Sequence, residues 1–96
     1  DAKCGSIDYA APELFKQGEV DFFKSDVWAF GIALYAMYEM KFPFNNVYEV
    51  ISGNLSIYSE NKGIFTIVQK CTIMDPSKRA NAEDIMNDEY FAIYSD

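Results

Sequence analysis

The chain has 96 residues, half of them apolar and 17% aromatic, with 15 acidic against 8 basic side chains and a net charge of −7. This is a globular composition at a length of no more than one domain, which argues against disorder. No dense cluster of Lys and Arg is present, so nucleic acid is a poor partner, and two distant cysteines without any histidine exclude the usual Cys/His zinc sites.

The cysteines, Cys4 and Cys71, read as reduced thiols of an intracellular, cytoplasmic protein, because the chain shows neither a signal peptide nor the cysteine density of a disulfide scaffold. Cys71 is expected to serve as a small buried hydrophobe and Cys4 as a loop thiol. The sequence opens on Asp1 rather than methionine, so a fragment or processed piece of a longer protein is expected.

Residues 1–20 have little periodicity and contain Gly5, Pro12 and Gly18, which predicts a loop with a helical turn after Pro12. Pro suits the first turn of a helix, and Glu13 beside it meets the positive end of the helix dipole. Residues 18–25 read as a connecting loop whose Phe22 and Phe23 tuck under the protein.

From Val27 to Tyr38 the chain carries no charge. Alternation at period 2 is absent and Ala, Leu and Met favour helix, so a helix is predicted over residues 26–40, capped by Ser25 or Asp26 and ending near Met40. A helix apolar all round is buried in protein or in lipid, and this run is shorter than the roughly 20 residues a bilayer requires. Gly31 in its interior costs up to about 1 kcal/mol relative to Ala. Either another part of the chain passes close to it, or it is merely tolerated.

Pro43 ends this helix, and Asn45 or Asn46 caps a short one whose C-terminus is Gly53. Tyr48, Val50 and Ile51 do not all face inward easily; either one of them is exposed or, the favoured reading, they form a loosely packed core face. After a polar loop, Ile64, Ile67, Val68 and Cys71 recur at i, i+3, i+4 and i+7, predicting one apolar stripe on a helix over residues 63–72, with Lys70 near its negative end. Residues 74–79 read as a turn. Asn81 then caps a last helix reaching about residue 87, with Ile85 and Met86 facing inward and Tyr90, Phe91, Ile93 and Tyr94 as a final apolar anchor. No stretch reads as a convincing strand, and the fold class is mainly α.

Three stretches in this order carry a resemblance: Cys4-Gly5-Ser6-Ile7-Asp8-Tyr9-Ala10-Ala11-Pro12-Glu13, Ser25-Asp26-Val27-Trp28-Ala29-Phe30-Gly31 and Asp75-Pro76-Ser77-Lys78-Arg79. Together the chain resembles the C-terminal half of the large lobe of a eukaryotic protein kinase, built around the one buried helix. The whole of residues 1–96 is then a partial kinase domain, from which the N-lobe, catalytic loop and D-F-G are missing.

The resemblance implies roles at matching positions. Ala11-Pro12-Glu13 resembles the A-P-E motif that closes the activation segment, and Arg79 matches the Arg that pairs with its Glu. Asp26 matches the Asp whose carboxylate holds the catalytic-loop backbone, with Trp28 and Gly31 as supporting residues of the same helix. Gly5, Ser6, Ile7 and Tyr9 fall on the loop that meets the protein substrate. Ser6 stands where the family has Thr and keeps the hydroxyl, a pattern that with Tyr9 resembles Ser/Thr rather than tyrosine kinases. The short helix matches a surface often used for docking, so residues 45–53 are a candidate docking site for a protein.

Phosphoryl transfer by this family uses a Gly-rich loop, a strand Lys, a catalytic-loop Asp and Asn, and a D-F-G Asp. This sequence has no Gly-x-Gly-x-x-Gly, no D-F-G and no histidine for H-R-D. The resemblance therefore implies ATP and Mg²⁺ for a parent kinase and no catalytic, cofactor or metal residue in this chain. The alternative is a pseudokinase remnant acting as a non-catalytic protein-interaction module. Without the elements that surround it in the family, the central helix is expected to expose Trp28, Phe30 or Leu34.

Overall fold

The computed structural model describes residues 9–87. Its elements follow one another as a 3-10 turn, Pro12–Phe15, and four helices: α1 Phe22–Glu39, α2 Val47–Ser52, α3 Lys62–Cys71 and α4 Ala82–Met86. Among the described residues there is no strand.

Helix α1 organises the rest, and it begins four residues before the predicted start. Asp21, not Ser25 or Asp26, is its cap, accepting from the amides of Phe23 at 3.0 Å and Lys24 at 3.3 Å. Phe22 and Phe23 are thus helical and exposed rather than tucked under a loop, with Phe23 at 85%. The helix stops at Met40, which takes the left-handed conformation (φ 60°) with its amide on the Ala36 carbonyl. Ser25, Val27, Trp28, Gly31, Ile32 and Tyr35 of α1 are buried. Phe23, Asp26, Phe30, Met37 and Met40 recur three, four or seven residues apart on an outer face that stays exposed. Of the residues expected to lose cover, Phe30 is exposed, Leu34 half-buried and Trp28 wholly buried.

The remaining helices fall close to their predicted places, each under an asparagine cap. Asn46 accepts from Glu49 N, Asn61 from Ile64 N, and Asn81 from Asp84 N, while the Asp84 carboxylate accepts from Asn81 N. Gly53 closes α2 at φ 78°. The stripe of α3, Ile64, Ile67, Val68 and Cys71, is completely buried against α1. Ile85 of α4 joins it, whereas Met86, about 100° further round the helix, is exposed. In α2 Val50 is buried, Ile51 half-buried and Tyr48 77% exposed, so the three do not share a core face. The expected anchor at residues 90–94 lies outside the described residues.

Gly31 marks where α1 and α3 cross. A Cβ built there would collide with Cys71 Cβ, and Cys71 Sγ and Thr72 Cγ2 would stand 3.4 and 3.5 Å away. Of the two readings the sequence leaves open, close approach is the one observed. Beside this crossing, Tyr35 reaches out of the core to donate to the carbonyls of Ser56 (3.2 Å) and Tyr58 (3.3 Å), pinning the loop before α3.

Candidate functional site

Three segments distant in sequence meet over the start of α1. Pro12 sets the 3-10 turn and presents Glu13, and the first turn of α1 presents Lys24 and Ser25. The third segment is the turn after α3, where Asp75 Oδ1 accepts from Ser77 N at 3.0 Å and Ser77 Oγ at 2.8 Å. Asp75 O then takes the Arg79 amide, which aims the Arg79 side chain inward.

Arg79 forms a bidentate pair with Glu13: Nη1 donates to Oε2 at 2.7 Å and Nη2 to Oε1 at 2.9 Å. Its other N–H groups go to carbonyls, Nε to Ile73 (2.8 Å), Nη1 to Lys24 (2.8 Å) and Nη2 to Met74 (3.2 Å). All five guanidinium donors are used, as a fully buried cation requires. Lys24 completes a reciprocal tie by donating its amine to the Arg79 carbonyl. Glu13 receives one more donor, Ser25 Oγ at 2.8 Å.

The two side chains are well shielded, Arg79 at 0% and Glu13 at 12% exposure. Burial pushes the Glu13 carboxyl upward. The hydrogen bonds from Arg79 and Ser25, a backbone bond and the Arg79 charge outweigh it, so the net displacement is below the usual carboxylate value. Exposed Asp75 is also lowered, first by the Ser77 hydroxyl and then by the Ser77 amide.

Trp28 lies directly beneath. Its ring is wholly buried with the Arg79 guanidinium carbon 5.1 Å from the centroid, a cation–π contact, and among the described residues its indole N–H has no hydrogen-bond partner. Ala11, Ile32 and Val50 pack around it, with Tyr9, Phe42 and Phe44 at the edge. Tyr9 sets its ring edgewise on Phe42 with centroids 5.6 Å apart. Asp26 stands apart from this junction, exposed on the outer face of α1. Gly5, Ser6 and Ile7 lie outside the described residues.

The structure thus brings together Glu13, Arg79 and Trp28, with Tyr9 on the rim of the same cluster, and leaves Asp26 on the opposite side of the helix. Lys24 and Ser25 belong to the junction although sequence reasoning did not assign them to it. A Ser at a helix start reads as a cap, and a lone Lys carries no signal. Beside the junction runs a groove of about 350 Å³ whose lining includes the acids Glu13, Glu19, Asp21 and Asp75. Among the described residues no group of three or more His, Cys, Asp or Glu is placed to hold a metal ion, and no helix is long and apolar enough to cross a membrane.

The protein kinase domain family matches residues 1–91. A calcium and calcium/calmodulin-dependent serine/threonine-protein kinase of Pisum sativum is 34% identical over 97 residues, covering 90% of this chain and 18% of its own length. The serine/threonine-protein kinase PSK1 of Saccharomyces cerevisiae is 32% identical over 97% of the chain and 7% of its own length. Serine/threonine-protein kinase kin-29 of Caenorhabditis briggsae is 30% identical, with 97% and 12% covered. The chain therefore spans less than a fifth of these curated relatives. It belongs to the protein kinase domain family, and the relatives it matches in part are serine/threonine kinases.

Proposed function

We propose that this chain is the C-terminal part of the large lobe of a serine/threonine protein kinase whose full-length parent transfers the ATP γ-phosphate to Ser or Thr of a protein. The observation that carries this reading is the buried Glu13–Arg79 pair, which ties the A-P-E stretch to the Asp75–Arg79 turn across 66 residues of sequence. A chain invests in such a junction when the loop leading into it has to be held, and that loop includes Gly5, Ser6, Ile7 and Tyr9, here given the role of meeting the protein substrate. The exposure of Asp26 on α1 supports giving it the role of holding a backbone supplied from elsewhere in the parent. Trp28 supports Arg79 from below, and Gly31 admits α3.

ATP and Mg²⁺ belong to the parent. Among the described residues no group of three or more His, Cys, Asp or Glu is placed to hold a metal ion, and the sequence carries neither Gly-x-Gly-x-x-Gly nor D-F-G, which supports the assignment of both to the parent. The exposed Tyr48 on α2 supports residues 45–53 as a docking site for a partner protein. A reducing, cytoplasmic location is part of the same reading, because the substrate ATP is an intracellular one.

The test is the transcript upstream of the codon for Asp1, followed by an assay of the protein it encodes. An open frame containing D-F-G and, before it, H-R-D is expected, together with transfer of labelled phosphate from ATP to Ser or Thr of a protein substrate. A start or stop codon close upstream, or intact motifs without transfer, would overturn it in favour of a protein-interaction module.

A further inference from the structure

Glu13 and Arg79 are not equally constrained. Besides Glu13, the guanidinium donates to three carbonyls, those of Lys24, Ile73 and Met74. The Glu13 carboxylate has no such frame. On Arg79 alone it could rotate about the pair axis or slide to a single bond, since its side chain turns about three torsions. Besides a backbone bond, one further side chain holds it, that of Ser25, whose hydroxyl donates to the same Oε2 that accepts Arg79 Nη1.

A Ser inside a helix ordinarily spends its hydroxyl on the carbonyl four residues back or on water. Here the Asp21 carbonyl four residues back takes the Ser25 amide at 3.1 Å, while the hydroxyl goes to a side chain 12 residues away. Ser25 is 5% exposed, so water does not compete freely for either partner. Its own place is set by the first turn of α1 under the Asp21 cap.

We propose that Ser25 is a positioning residue: its hydroxyl sets the plane of the Glu13 carboxylate, so that Arg79 can take both oxygens and the segment from Tyr9 to Phe15 stays docked on α1. The geometry alone carries this, and it holds whether or not the parent is an active kinase. If the parent is one, the substrate loop immediately upstream inherits its position from Ser25.

Two readings on the 96-residue chain test the assignment. Limited trypsinolysis resolved by mass spectrometry compares cleavage after Lys16, just beyond the docked segment, with cleavage after Lys70 in α3. Carboxyl NMR follows the titration of Glu13. In Ser25→Ala, cleavage after Lys16 is expected to rise about tenfold relative to that after Lys70, the loss of one hydrogen bond to a charged acceptor, and Glu13 to titrate at higher pH. Ser25→Cys, near in volume but a weak donor, is expected to fall between Ala and wild type in both. An unchanged Glu13 titration with a wild-type cleavage ratio would overturn the assignment. So would an equal rise at both sites, because that is the mark of general loosening. Should Ser25→Ala not fold, the Glu13 titration in Ser25→Cys decides: upward supports the assignment, unchanged refutes it.

Discussion

Arg79 is a side chain that the fold cannot easily do without. A buried guanidinium with all five donors occupied is stable only while every acceptor stays in place, and Glu13 is the one acceptor that carries charge. Replacing it by Gln removes that charge and leaves the cation buried, at a cost of about 3–5 kcal/mol at neutral pH. The pH dependence follows from the sign of the Glu13 displacement. Its folded value lies below the unfolded one, so the stabilisation is full above the ordinary carboxylate value and is lost as pH falls through the folded value. Wild type and Glu13→Gln should therefore differ in helical ellipticity under denaturant at pH 7 and converge in acid; a constant gap across the titration would contradict this account. Asp75 is displaced in the same direction and adds to the wild-type acid limb, in both proteins alike. Pattern and spacing alone did not make the partnership of Glu13 and Arg79 legible, because 66 residues separate them; only the likeness to a family paired them. Ser25 escaped for a different reason, since a hydroxyl at a helix start has a simpler local use.

At the scale of elements, the crossing of α1 and α3 decides how the core closes. The stripe on α3 could be read directly, because Ile64, Ile67, Val68 and Cys71 recur at helical spacing on one face. The start of α1 could not. Phe22 and Phe23 are apolar on the exposed side, and an aromatic pair after a Gly-Glu-Val-Asp loop reads as something to be hidden; the cap at Asp21 overrode that. The inward place given to Met86 failed because α4 is too short to bury more than one face, which Ile85 fills. Gly31 now has a definite meaning. Gly31→Ala gains helix propensity but drives a methyl group into Cys71, and overpacking of this kind costs about 1–3 kcal/mol. The expected outcome is a lower denaturant midpoint of the helical signal, with Cys71→Gly in the same chain recovering part of the loss. A Gly31→Ala chain as stable as wild type would mean that the helices can separate without penalty.

For the whole molecule the governing feature is the outer face of α1. Phe23, Met37 and Met40 are 85%, 69% and 87% exposed along one side of an 18-residue helix, with Phe30 between them. A face of that size and chemistry on a lone chain marks an interaction surface or an aggregation liability. The purified 96 residues should give a helical far-UV spectrum, bind a hydrophobic dye and unfold without a sharp cooperative transition. Substituting Phe30→Lys and Met37→Lys together should lower dye binding and aggregation while leaving the ellipticity in place. A single steep melt of a wild-type monomer would show instead that the fragment is a self-sufficient domain. The all-helical class and the order of the helices were legible because α1 is a long uncharged run without alternation, α3 carries an apolar stripe, and α2 and α4 follow asparagine caps. What the outer face is for was not, because exposed apolar side chains carry no signal of what meets them.

The chain contains one tryptophan, and it sits where the three tied segments meet, wholly buried under the guanidinium. Nature has in effect placed a single fluorophore at the junction. Its emission reports whether Arg79 is seated above it, so opening of the Glu13 clasp and melting of the helices can be followed in one sample as two separate optical signals, without a label.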